Sequence, residues 1–137
     1  MLMDKINKYY TSKYDLSCSE VMIYAASDEY NMNLKSETFK AMSSFGGGMA
    51  VESVCGAITG SLAVIGILFT CERAHEGDRV KKLCQEFFRK FEAVLNTNNC
   101  AVLKANYKKE AVGCRIMIET AASILDEIVI RELKINK

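Results

Sequence analysis

The sequence predicts an all-α protein, a compact bundle of six to seven helices packed around a central apolar helix. Three observations predict it. The 137 residues contain no proline, apolar side chains recur three and four positions apart in nearly every segment, and the period-two alternation of half-buried strands is weak. A composition 50% hydrophobic and 26% charged belongs to a globular chain rather than a disordered one. A chain of this length buries one core and not two, so 1–137 reads as a single domain.

The elements follow in order. A short first helix spans 2–12. The second, 18–30, opens with Ser17-Cys18-Ser19-Glu20, in which Ser17 caps and Glu20 reaches back. Cys18 falls at its first position with Val21, Met22 and Ala25 on the same face, which aims the thiol along the buried stripe. The third helix spans 36–44. The fourth, about 53–71, is SVCGAITGSLAVIGILFTC and carries no charge. It is long enough to read as a membrane span, with Gly56 and Gly60 as a G-x-x-x-G pair. Glycine and hydroxyl residues soften it, however, and the amphipathic helices around it would otherwise have nothing to cover their stripes. The expectation is therefore a buried central helix, whose small residues Gly56, Ala57, Gly60 and Ala63 let neighbouring backbones approach closely. The fifth helix, 76–95, gathers Cys84, Phe87, Phe88, Phe91 and Leu95 on one face. A short sixth spans 100–105, and the last, 110–133, gathers Cys114, Met117, Ile118, Ala121, Leu125 and Ile128.

Charge narrows the function classes. Eighteen basic and seventeen acidic side chains leave a net charge of +1, and no basic cluster interleaves with aromatics, which argues against a nucleic-acid partner. The amino-terminal stretch MLMDKINKYYTSKYDL carries Asp4 and Lys5 and no apolar signal-peptide core, so the expectation is a cytoplasmic protein without membrane attachment. In a reducing compartment six cysteines point to metal binding or thiol chemistry rather than a disulfide framework. The competing reading is that they pack as small hydrophobes. No Ser-His-Asp set, P-loop or H-E-x-x-H motif is present, so hydrolase and nucleotide-binding readings have no footing.

Cys18, Cys55 and Cys100 each fall at the predicted first turn of a helix, where unpaired amides and the helix dipole favour a thiolate, so lowered pKa values are expected there. Cys114 lies near the start of the last helix. The run Gly46, Gly47 and Gly48 can bring bare amides close to sulfur or to an anion. Every cysteine stands alone, without the paired spacing common in zinc and ferredoxin-type sites, so position leaves a shared site and inert packing both open. Cys71 and Cys84 read as packing residues, and His75 in the polar CERAHEGDR connection reads as solvated. Glu52 is either a proton acceptor beside the motif or an ordinary surface carboxylate.

The stretch SFGGGMAVESVCGAITGSLAVIGI, with a lone Cys18 upstream, Cys100 in NNCAVL and Cys114 in GCRIMIETAASILDEI, resembles the C-GCAxxG-C-C family of redox-active proteins along nearly the whole chain. Its most specific part is Cys55-Gly56-Ala57-x-x-Gly60, preceded by Phe45-Gly46-Gly47-Gly48. The resemblance implies a small bacterial protein in which Cys18, Cys55, Cys100 and Cys114 form a redox or metal site; Gly46, Gly47, Gly48 and Gly56 are expected beside it as a cofactor-binding wall. The leading expectation is electron transfer or redox sensing with an unidentified partner protein, through an iron–sulfur cluster or zinc. A thiol-disulfide oxidoreductase using the same cysteines is the alternative. A helical interaction protein with inert thiols, dimerising through AVIGILF, is the third reading. A shared zinc would hold each sulfur at about 2.3 Å and leave Cys71 and Cys84 outside.

Overall fold

Gly56–Phe69 contain no charged side chain, and the folded chain encloses them as one helix among others. The computed structural model describes residues 1–135. Over that span the chain forms α1 (Leu2–Tyr9), α2 (Cys18–Glu29), α3 (Ser36–Ala41) continued by a 3₁₀ turn at Met42–Ser44, α4 (Gly56–Phe69), α5 (Arg79–Leu95), α6 (Cys100–Tyr107) and α7 (Arg115–Ile135). The described residues hold no β-strand, only two isolated bridges, Val54 with Asn99 and Lys109 with Gly113. The all-α expectation holds.

Helix α4 packs against α2, α5 and α7, the partners that its uncharged sequence required. The α2 contact is the tightest. A Cβ at Gly60 would lie 2.6 Å from the Ser19 carbonyl oxygen and 3.0 Å from Met22 Cβ, so only hydrogen at that position lets the two backbones meet. The G-x-x-x-G pair thus serves a contact inside a bundle, and among the described residues no helix is long and apolar enough to cross a membrane. Of the AVIGILF stretch, Val64, Ile65 and Phe69 are buried while Ile67 is exposed.

The other stripes close over this pair. On α5 Leu83, Phe87, Phe91 and Leu95 are buried, the two phenylalanine rings stacking 6.3 Å apart. On α7 Met117, Ile118, Ala121, Leu125 and Ile128 are buried, as predicted. Polar ties fix how the helices meet. Buried Asp126 on α7 accepts the Tyr30 hydroxyl at 2.6 Å and the Leu2 amide at 3.3 Å, joining α7 to the end of the α1–α2 pair where α1 starts and α2 stops. Glu86 on α5 accepts both Arg131 guanidinium nitrogens at 2.8 Å, which with Lys90 draws its carboxyl down to about 2.

Three helix starts differ from the sequence reading. The fourth helix begins at Gly56 rather than 53, because the preceding loop winds through left-handed backbone at Gly47, Gly48, Met49, Ala50 and Glu52. The fifth begins at Arg79 rather than 76, because the Glu76 carboxylate accepts the amides of Cys71, Glu72 and Arg73 and folds that segment into a turn. The last begins at Arg115 rather than 110, because Lys109 and Gly113 exchange backbone hydrogen bonds across a turn with Gly113 at φ 60°. In the last two cases local polar satisfaction outweighs the apolar periodicity; in the first, the loop is held by Asn99 and Lys104 from a distant segment.

Two substitutions on α4 separate the close contact from helix propensity. Gly60→Ala should lower unfolding stability by about 1–3 kcal/mol through overpacking against α2. Gly66→Ala, where a Cβ meets nothing within 4 Å, should raise it by about 0.5–1 kcal/mol. Urea titrations of the two variants check both signs.

Candidate functional site

Four cysteines stand at four helix starts. Cys18 is the first residue of α2 and Cys100 the first of α6; Cys55 caps α4, and Cys114 immediately precedes α7. All four line one cavity of about 190 Å³, together with Ser17, Gly47, Gly56, Leu103, Lys104, Lys108 and Met117.

The backbone accounts for this gathering. Around the Val54–Asn99 bridge, the Cys55 amide donates to the Asn98 carbonyl at 2.9 Å and the Cys100 amide donates to the Ser53 carbonyl at 2.5 Å, so these two cysteines are set beside each other by main-chain pairing. Asn99 then caps α6, its side-chain oxygen accepting the Val102 amide at 3.0 Å. Cys18 joins them through the α2–α4 contact: a Cβ on Gly56 would lie 3.2 Å from Cys18 Cβ. The Glu20 carboxylate accepts the Ser17 amide at 2.9 Å and steadies the start of α2. Cys114 is brought in from the far end of the chain by Tyr10, whose hydroxyl accepts the Cys114 amide at 3.1 Å and donates to the Val112 carbonyl at 3.0 Å. Gly48, at φ 64°, passes so close to Cys100 that a Cβ there would lie 2.7 Å from that residue's own Cβ.

The four thiols are not electrostatically alike. Cys18 and Cys114 lie close enough for their thiols to share a hydrogen bond. That bond, then burial and the neighbouring sulfurs, push the Cys18 thiol up. The same bond, aided by the positive charges of Lys108 and Lys104 and opposed by burial, draws Cys114 down to about 6. Burial pushes Cys55 up to about 11, although the amides of Ala57 and Ile58 at the start of α4 offset part of the effect. Cys100 is also raised by burial, with Lys104 opposing. The expectation of lowered values at Cys18, Cys55 and Cys100 is therefore overturned. A helix end stabilises an anion by about 0.3–1 kcal/mol, less than one in pKa, which loses to desolvation of a buried thiol.

The remaining candidates separate cleanly. Gly47 and Gly56 line the cavity, while Gly46 packs behind it against Ser17 and Gly48 against Cys100. Cys71 is exposed and Cys84 half-buried on α5; neither lines the cavity. His75 is exposed in the 3₁₀ turn Ala74–Glu76. Glu52 is an exposed carboxylate, but it pairs at 2.8 Å with Lys104, whose side chain reaches the cavity. Sequence reasoning missed Lys104, Lys108 and Tyr10, which look like ordinary polar positions in KANYKKE and NKYYTSK. Among the described residues no group of three or more His, Cys, Asp or Glu side chains is placed to hold one metal ion. The thiols as they stand therefore do not make a single-ion site.

Fold and cavity together define a helical four-cysteine protein, each thiol delivered by a separate helix start. The chain matches the family described as Putative redox-active protein (C_GCAxxG_C_C) over residues 16–128, and it belongs to that family. No curated protein and no solved structure matches it.

The lowered Cys114 thiol carries a pH prediction. Because its pKa is depressed, the reactive thiolate is present above about pH 6 and is lost as pH falls through that value. Alkylation of Cys114 by a neutral haloacetamide should rise roughly tenfold per pH unit below that point and level off above it. Cys55 and Cys100 should remain slow at neutral pH. Mass-spectrometric peptide mapping of pulse-labelled protein reads all three together.

Proposed function

We propose that this redox-active protein works as a dithiol, cycling Cys18 and Cys114 between two thiols and a disulfide against a disulfide substrate. One observation carries the reading: these two cysteines, from opposite ends of the chain, meet at one cavity, and their pairing lowers Cys114 while it raises Cys18. In the forward direction the Cys114 thiolate attacks one sulfur of the substrate disulfide, a Cys114–substrate bond forms, and the other substrate sulfur leaves as a thiolate. Cys18, giving up its proton, then attacks the Cys114 sulfur and expels the second substrate thiolate. The substrate disulfide gains two electrons and becomes two thiols; the protein loses two and becomes the disulfide. Lys104 and Lys108 hold negative charge at the cavity through both steps, and buried Leu103 and Met117 limit water.

A second reading is an iron–sulfur cluster or zinc held by Cys18, Cys55, Cys100 and Cys114. It is supported by the donor set itself, four sulfurs around one cavity, since thiolates select those metals. It requires the sulfurs to draw inward from where they stand.

The test is oxidation of the reduced, metal-free protein by a small disulfide, followed by peptide mapping. A Cys18–Cys114 disulfide is expected, with a mixed disulfide trapped on Cys114 in Cys18→Ser. Cys114→Ser should slow substrate reduction by about tenfold or more, while Cys71→Ser and Cys84→Ser should leave it unchanged. Oxidation confined to Cys71 would overturn the dithiol reading. Visible absorption with stoichiometric iron in protein purified without oxygen would favour the second.

A further inference from the structure

Apart from the Cys114 thiolate, the charge lining the cysteine cavity is positive. Lys104 and Lys108 contribute it, and no acidic side chain lines the cavity; the remaining surface is thiol, glycine, serine, Leu103 and Met117. The two lysines are not equivalent. Lys104 is pinned at 2.8 Å by Glu52, which stands outside the cavity at the end of the left-handed loop. Lys108, just beyond the end of α6, makes no side-chain hydrogen bond or salt bridge among the described residues. Lys108 faces the Cys114 thiolate and feels Glu52 at longer range, but no carboxylate is bonded to its ammonium group, so an incoming anion can be seated there without displacing an ion pair of the protein. The cavity is small, which suits a low-molecular-weight ligand rather than a folded partner's surface.

We infer that the disulfide this cavity reduces is a small carboxylate-bearing one, its anionic group seated on Lys108 with Lys104 as the second contact. The inference rests on the dithiol reading of the same site. Such a substrate meets two positive charges as it approaches, which raises its local concentration and orients the disulfide towards Cys114. An ammonium-bearing disulfide of the same size meets repulsion, and a neutral one gains neither effect. Glu52 competes with the substrate carboxylate for Lys104, so removing its charge should favour the anionic substrate.

Three aliphatic disulfides of similar size test this on the full chain carrying Cys71→Ser: dithiodiglycolate (anionic), 2-hydroxyethyl disulfide (neutral) and cystamine (cationic). Rates of Cys114 oxidation are measured at low ionic strength and about pH 8, where the thiolate is formed, each divided by the reagent's rate with a free cysteine peptide. The expected order is anionic, neutral, cationic. The anionic-to-neutral ratio should fall about two- to fivefold in Lys108→Gln, fall further when Lys104→Gln is added, rise in Glu52→Gln, and collapse in high salt. The neutral probe reports any change in Cys114 nucleophilicity caused by losing a lysine, so the ratio isolates recognition. A ratio unchanged across the lysine variants, with the neutral disulfide still reacting, overturns the anionic substrate while the dithiol reading stands. Failure of all three disulfides to oxidise Cys114 overturns both.

Discussion

The close approach of α2 to α4 is the constraint on which the rest of the structure depends. Gly60 lets the α4 backbone lie against the Ser19 carbonyl, and four residues earlier Gly56 lies against Cys18. Four residues are about one helical turn, so the two glycines present one side-chain-free stripe to α2. That stripe fixes the relative height of the two helices and puts their amino-terminal ends side by side. Cys18 opens one and Cys55 caps the other. The same contact leaves the rest of the α4 surface to be covered by α5 and α7, and α7 is the helix that Cys114 precedes. The uncharged segment is thus both the centre of the core and the ruler for the site.

Within the cavity, burial decides which thiols stay protonated, and a single shared proton decides the exception. Helix ends favour thiolates at all four positions, yet their effect is small beside the cost of leaving an anion in a desolvated wall. Cys114 escapes because it receives a hydrogen bond from Cys18 and faces two ammonium groups, while remaining only half-buried. Cys18 keeps its own proton when Cys114 gives its proton up. One proton between two sulfurs is the arrangement a dithiol needs, with one member ready to attack and the other kept in reserve.

The wall beside Cys100 is held in a costly conformation. Met49, Ala50 and Glu52 adopt left-handed backbone, which disfavours a residue bearing a Cβ by about 1–2 kcal/mol. The surrounding bonds retain it: the Ser53 amide donates to the Gly48 carbonyl, the Asn99 side chain to the Glu52 carbonyl, and Lys104 to the Glu52 carboxylate. Val51 is left exposed at the outer side. Strain of this kind persists only where several contacts over-determine it, and it gathers at working sites. Here it carries Gly47 to the cavity and turns the chain sharply enough to bring Ser53 and Val54 back against Asn99 and Cys100.

By itself the sequence determined the helical class, the central place of the uncharged segment, the existence of every helix and the four cysteines that share a cavity. The first three follow from local rules: apolar spacing, the absence of proline and the capping pattern at Ser17 and Glu20; the four cysteines follow from the family resemblance, since their positions alone left a shared site and inert packing both open. Only the tertiary structure decided which cysteine is the thiolate, because that depends on Cys18 and Cys114 meeting across most of the chain and on how deeply each is buried. It also decided the reach of Lys104 and Lys108 into the cavity and the role of Tyr10 in holding Cys114, since a polar residue's direction is set by the neighbours that pack around it. The late starts of α4, α5 and α7 belong there too. In the latter two, Glu76 and the Lys109–Gly113 turn satisfy backbone groups in a way that periodicity does not register, and the left-handed loop before α4 is fixed by contacts with a segment nearly fifty residues away.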